Sequence, residues 1–275
     1  MNDVRVRDGA ITGRHGPIPI RDYLPAREKP GAVALLWLHG GGFVSGGLDQ
    51  RESHIVALRV AESGRRVRTV DYPLVPKAPA LPRAILRPSE NRYPVPLDAV
   101  VSAVDDLRAE RPRLALGGAS AGACLAASAA LRLRDDGKDP SNGLVLCYGA
   151  FHAALPPLPD SVRSRVRGPR GLTQFSPRVI HRMNLNYVGS TEALTAPGVF
   201  PGGSDLAKLP ATLLLDADHD TLRASGETFA TELIAAGVAT EHIVVPHTGH
   251  GFLNRPRTRA FRRAIGTIVE WLDRR

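Results

Sequence analysis

A chain of 275 residues with 43% hydrophobic and 23% charged side chains can bury a large core, which excludes a disordered or fibrous protein. Its formal charge of +9 invites a nucleic-acid reading. The charge is almost all arginine, with Lys29, Lys77, Lys138 and Lys208 the only lysines, and the arginines are scattered from residue 5 to residue 275. No aromatics interleave them as a stacking platform would need, so a solvated basic surface and no nucleic-acid partner are expected.

No leading apolar segment follows a basic start. The strongest apolar run, 32–38, is far too short to cross a bilayer. A cytoplasmic location without a membrane span is the expectation. Cys124 and Cys147 fall on a predicted helix and a predicted strand and read as small buried side chains.

In chain order, residues 4–6 and 17–23 read as short strands, the second alternating Ile18 and Ile20 with polar neighbours. Pro30-Gly31 is a turn, and the run 32–38 suits a strand buried on both faces. His39-Gly40-Gly41-Gly42-Phe43 ends it. Spacing of Ile55, Leu58 and Ala61 predicts a helix over 53–63, and 66–72 is the next strand. Seven prolines over 73–96 argue against regular structure and suggest a loop wrapping one end of the sheet.

An amphipathic helix is predicted over 97–107. A short apolar run, Leu114 to Leu116, then meets glycines on either side of a serine in Gly118-Ala119-Ser120-Ala121-Gly122, and a helix follows over 121–134. Residues 143–148 form another strand. From 151 to 209 the pattern breaks: proline clusters, an arginine group (Arg163, Arg165, Arg167, Arg170) and one helix over 177–187 read as an insertion. The sheet resumes at 211–215, a helix covers 222–236, a last strand 241–245, and a closing helix 257–274 carries Phe261, Ile265, Ile268 and Leu272 on one stripe. Strands alternating with helices point to a mostly parallel sheet covered on both faces, in a single domain over 1–275.

A strand that turns sharply into a helix at a serine lifts the hydroxyl clear of the sheet and aims free helix N–H groups toward it. That hydroxyl needs a base, and imidazole has the right pKa. His250, in Gly249-His250-Gly251-Phe252, lies beyond the last predicted strand; His247 competes with it but follows Pro246 and lacks flanking glycines. Asp220 is placed to orient the imidazole, with Asp216 and Asp218 as rivals nearer the strand end. The amides of Gly41 and Gly42, with that of Ala121, form a candidate cradle for an oxyanion. Each piece alone is commonplace, since most loop histidines, His15, His54, His152, His181 and His242 among them, are structural. Asp216, Asp218 and Asp220 with His219 mimic a metal site, but no matching ligand cluster appears elsewhere, so no metal is expected. The weight comes from four features, each after a predicted strand, in the order one mechanism requires.

At this point the chain resembles the hormone-sensitive-lipase-like esterases of the α/β-hydrolase fold. The resemblance rests on His39 to Gly42, Asp71-Tyr72-Pro73-Leu74-Val75-Pro76, Gly118 to Gly122, Asp220-Thr221-Leu222-Arg223 and His250-Gly251-Phe252. It implies an α/β-hydrolase fold and a Ser120, Asp220, His250 triad, with Gly41, Gly42 and Ala121 as oxyanion donors. It also implies cleavage of short-chain acyl esters without a cofactor. Several members associate through the last strand and its helix, which raises a homodimer as an expectation. The chain departs from the family at Ala119, at the proline after Tyr72, and over 77–89, which looks like extra sequence. His39 also lies close to the start of the sequence, so part of the usual cap is expected to be missing or rebuilt from 151–209.

Amidase or arylformamidase chemistry on the same triad is the alternative, followed by a non-catalytic binding protein on a hydrolase scaffold. If the insertion folds over Ser120, its arginines would favour an acidic substrate; a solvated basic loop is the plainer expectation.

Overall fold

The strand β3, Ala34–Leu38, is buried along its whole length, and its side chains alternate between two cores. Leu36 and Leu38 enter one hydrophobic cluster, Leu35 and Trp37 the other. An apolar run without a period of two is what a strand covered on both faces requires.

The structure is a computed structural model, which describes residues 3–77, 89–166 and 175–275. Its sheet contains β1 (Val4–Gly13), β2 (Gly16–Pro25), β3, β4 (Val67–Val70), β5 (Leu114–Ala119), β6 (Leu144–Cys147), β7 (Thr212–His219) and β8 (Thr240–Gly249). The spatial order is β1-β2-β4-β3-β5-β6-β7-β8. The first two strands pair antiparallel as a hairpin, and β2 pairs antiparallel with β4. Every pairing from β4 onward is parallel.

Helices α1 (Arg51–Ala61) and α8 (Arg259–Leu272) pack on one face through Val56, Val60, Ile268 and Trp271. Helices α2 (Val95–Glu110), α3 (Ala121–Asp135) and α7 (Arg223–Ala235) pack on the other, through Val100, Val104, Leu125, Phe229 and Leu233. Between β6 and β7 lie α4 (Asp160–Arg165), α5 (Pro177–Val188) and α6 (Thr191–Leu194). Thr258 and Ser176 cap α8 and α5 by accepting from the amides of Phe261 and Val179, as the N-cap rule expects.

Several boundaries differ from the sequence reading. Strand β1 runs seven residues beyond position 6, because most of it is exposed and it carries no inward/outward alternation to betray it. Helix α2 starts at Val95, inside the stretch whose prolines argued against regular structure. Pro94 precedes it and Pro96 sits in its first turn, where a missing N–H costs no intrahelical bond. Helices α4 and α6, of six and four residues, are too short to show a stripe. Strands β7 and β8 continue four residues past 215 and 245, which puts Asp216 and Asp218 inside the sheet. Residues 78–88, most of the expected extra sequence, and Arg167 and Arg170 lie outside the described residues.

No helix among the described residues is long and apolar enough to cross a membrane. Both cysteines are buried and free, and burial pushes the Cys124 thiol up to about 12 and the Cys147 thiol well above its ordinary value.

Candidate active site

Three parallel strands end at one place and deliver the groups that matter. At the end of β5 the backbone of Ser120 adopts φ 53° and ψ −118°, a conformation rarely occupied by a residue with a side chain. Close packing of glycines holds it there. A Cβ on Gly122 would lie 2.4 Å from the carbonyl oxygens of Leu38 and His39, and one on Gly118 would lie 2.5 Å from the Gly122 carbonyl. The elbow is therefore wedged against the end of β3, and helix α3 starts at the next residue.

Asp220 follows β7. It is fully buried, and its Oδ1 accepts from the Leu222 amide at 3.0 Å, which fixes the carboxylate at the start of α7. Its Oδ2 faces Nδ1 of His250 at 2.7 Å, and Nε2 of the same ring lies 3.1 Å from Ser120 Oγ. Since an ionised carboxylate only accepts, Nδ1 is the donor and Nε2 is left to receive the serine proton. Burial alone would depress the His250 pKa. The Asp220 carboxylate, by charge and hydrogen bond, outweighs that and raises it above the ordinary imidazole value, with Glu52 and Asp216 adding to the effect. Tyr148 and Phe175 meet the ring edge-on at centroid distances of 5.1 and 4.8 Å.

The glycine loop after β3 turns through Gly41 (φ 121°) and Gly42 (φ 60°), both in a region that suits glycine. The Gly41 carbonyl accepts from the amides of Val44 and Ser45, at 3.1 Å each, which closes the turn. Among the described residues the amides of Gly41, Gly42 and Ala121 donate to no backbone carbonyl, leaving them free for a ligand. His39, first residue of the motif, is buried with its ring stacked on Tyr72 at 4.3 Å, and its carbonyl accepts from the Tyr72 hydroxyl at 2.8 Å. Thus the tyrosine of the Asp71-Tyr72-Pro73 motif props the base of the loop.

A cavity of about 320 Å³ opens above Ser120 and His250. Gly41 and Gly42 line one side, and Phe175, Met183 and Leu222 supply an apolar wall. Gln50, Glu52 and Asn254 add polar groups to the lining.

With that geometry in view, comparison with known proteins is decisive for the family. The model of a family described as having the alpha/beta hydrolase fold matches residues 35–254. The chain belongs to the α/β-hydrolase family. It belongs to the branch that includes the hormone-sensitive-lipase-like esterases. This hydrolase is 30% identical over 262 residues to "Esterase LipI" of Mycobacterium tuberculosis, covering 91% of this chain and 76% of that one. It is 28% identical over 248 residues to "Carboxylesterase NlhH" of the same organism, covering 86% of this chain and 72% of that one. An esterase from Pyrobaculum calidifontis superposes with a TM-score of 0.82 at 28% identity, over 98% of this chain and 85% of that one.

The rival residues are engaged elsewhere. His247 is exposed, and its amide donates to Asp218. Asp216 is bonded by His242 Nε2 at 2.8 Å, and Asp218 by Arg165 at 2.9 Å and Arg223 at 3.5 Å. Among the described residues no group of three potential ligands could hold a metal. His15, His54 and His152 are bonded to Asp98, Tyr23 and Ser225. Arg163 donates to the Leu158 carbonyl and Arg165 pairs with Asp218, and neither lines the cavity, so neither supports an acidic substrate.

Sequence reasoning overlooked Phe175, Met183, Glu52, Tyr148 and Asn254. Phe175 precedes α5 outside any regular element, and the spacing along the helix predicted over 177–187 does not distinguish Met183 facing the site from Met183 facing the core. Glu52 did carry one: with Val56 and Val60 it occupies the buried stripe of α1, where a carboxylate is out of place.

Proposed function

We propose that this hydrolase is a carboxylesterase that cleaves short-chain acyl esters through an acyl-enzyme formed on Ser120. The single observation that carries the reading is the hydrogen-bonded chain from Asp220 through His250 to Ser120 Oγ at the floor of the cavity. Ser120 Oγ attacks the ester carbonyl carbon while its proton passes to His250 Nε2, and the amides of Gly41, Gly42 and Ala121 receive the oxyanion. Collapse expels the alcohol, which takes the proton from Nε2. Water then attacks the acyl carbon, giving its proton to Nε2, and a second collapse releases the carboxylic acid and restores the serine. Asp220 holds the ring and stabilises its cationic form. No cofactor enters this scheme.

A volume near the lower end of the range for small-molecule sites supports short acyl groups. The segment 151–209, which contributes Phe175 and Met183 to the cavity, is read here as a cap over the site. The esterase names of the relatives favour the ester over the amide. Association through β8, the last strand of the sheet, and the helix α8 that follows it is proposed as well, with Ile243 exposed on the strand, and is checked by light scattering.

The test is turnover of p-nitrophenyl acetate or butyrate by the wild-type chain and by Ser120→Ala. We expect a loss of about 10,000-fold or more in kcat with circular dichroism unchanged; substantial turnover by that variant would defeat the reading.

A further inference from the structure

Glu52 is 3% exposed, yet its carboxylate is surrounded by donors from four separate segments. Oε1 accepts from the Gly40 amide at 3.0 Å and from Gln50 Nε2 at 2.7 Å. Oε2 accepts from the Tyr148 hydroxyl at 2.7 Å and from Asn254 Nδ2 at 2.8 Å. The main chain of the same residue continues the network, its amide donating to Asn254 Oδ1 at 3.2 Å and its carbonyl accepting from Trp37 Nε1 at 2.7 Å. Gly40 begins the glycine loop. Tyr148 follows β6 directly and packs against the His250 ring, and Asn254 closes the 3-10 turn Phe252–Asn254 that follows His250. One buried group thus joins the loop with the free amides to the loop with the base.

Gly40 bears the mark of this contact. Its φ lies outside the left-handed region, so backbone conformation does not explain the glycine. A Cβ there would sit 2.4 Å from Glu52 Oε1, 3.0 Å from the Ala119 carbonyl and 3.1 Å from Ser120 Cβ. The glycine is needed because the carboxylate and the elbow both press against it. An apolar side chain in the same place on the α1 stripe would avoid the desolvation of a charge, so stability alone is a weak reason for an acid here.

We propose that Glu52 is a positioning residue for ester cleavage: its carboxylate locks the glycine loop to the His250 loop, so that the Gly41 and Gly42 amides are registered on Ser120 Oγ before substrate arrives. This rests on the esterase reading above. A preorganised donor stabilises the tetrahedral intermediate far more than the bound ester, so loosening the lock should depress kcat rather than raise KM.

The experiment compares wild type, Glu52→Gln and Glu52→Asp on a p-nitrophenyl ester. It also measures the inhibition constant of a trifluoromethyl ketone, whose adduct on the serine needs the same amides. For Glu52→Gln, which turns one half of the carboxylate into a donor facing donors, we expect kcat to fall by about 30- to 100-fold with KM within about 3-fold. Ketone affinity should fall by a similar factor, and Glu52→Asp should recover part of both. A folded Glu52→Gln with unchanged kcat and ketone affinity, or one that only melts earlier, overturns the proposal. Should that variant not fold, Tyr148→Phe and Asn254→Ala each remove one donor and keep the acid. Parallel several-fold losses in kcat and ketone affinity support the proposal, and unchanged values overturn it. A wild-type chain inactive on every ester of a broad panel removes the esterase reading and this proposal together, whereas an active wild type with unaffected variants removes the proposal alone.

Discussion

At the floor of the cavity, where β5, β7 and β8 end, glycines with no room for a Cβ hold the turn at Ser120, and hydrogen bonds hold Asp220 and His250. Across the cavity, Phe175, just before α5, and Met183, on α5, belong to the stretch between β6 and β7 and present apolar surface. The floor is anchored to strands whose neighbours are fixed by parallel pairing, so Ser120, Asp220 and His250 keep their separations within hydrogen-bonding distance. Among the described residues Phe175 and Met183 make no hydrogen bond to the reacting groups, and Phe175 meets the His250 ring only edge-on. On the proposed reading the difference gives chemistry to the floor and substrate fit to the wall: directional contacts would govern rate, and apolar contacts which acyl or alcohol group is accommodated.

The contrast is broken most severely at Asp220. Replacing it with asparagine keeps the volume but presents an amide to His250 Nδ1, and the ring then loses both its orientation and the partner for its positive charge. We expect kcat to fall by about 1,000- to 10,000-fold, with the KM for a p-nitrophenyl ester changed far less. A loss below about 10-fold would mean that the floor is not organised around this carboxylate. A wall change should behave differently. Met183→Ala enlarges the cavity above Gly42, where a Cβ on the glycine would meet the methionine sulfur at 3.0 Å. It should shift the preference among acetyl, butyryl and hexanoyl esters toward the longer chains by about 10-fold in relative kcat/KM. An unchanged chain-length profile would take this residue out of substrate selection.

The smallest effect is in the pH profile, and it sharpens the comparison. His250 must be neutral to accept the serine proton, and its pKa is raised, first of all against burial, by the Asp220 carboxylate. Activity is therefore lost as pH falls through that raised value, and the acid limb of kcat/KM should have its midpoint above the ordinary imidazole value of about 6.5. Asp220→Asn should move the midpoint down, while Met183→Ala should leave it in place. A wall variant that moved the limb as far as the floor variant would erase the distinction.

The same division explains what could be read from the amino-acid sequence. Gly118 to Gly122 and His39 to Gly42 are legible because close backbone approach admits glycine and little else, and the buried strand at 34–38 because two covered faces demand an unbroken apolar run. The fold class followed from the strand and helix alternation, and the structure bears it out in a mostly parallel sheet. The wall was illegible because Phe175 lies outside any regular element, and the helical spacing around Met183 does not say that it faces Ser120 rather than the core. The ends of β7 and β8 were hidden by polar residues that satisfy one another across the sheet, as Asp216 does with His242. Glu52 escaped because its four partners come from positions up to 202 residues away, a convergence that only the folded chain contains.

The most direct test of the central claim is to react the chain with a fluorophosphonate and identify the labelled peptide by mass spectrometry. The account predicts one adduct, on Ser120, formed rapidly in the wild-type chain, greatly slowed in His250→Ala and absent in Ser120→Ala. An adduct on another residue, or an unlabelled wild-type chain under conditions where a known serine esterase reacts fully, would contradict it.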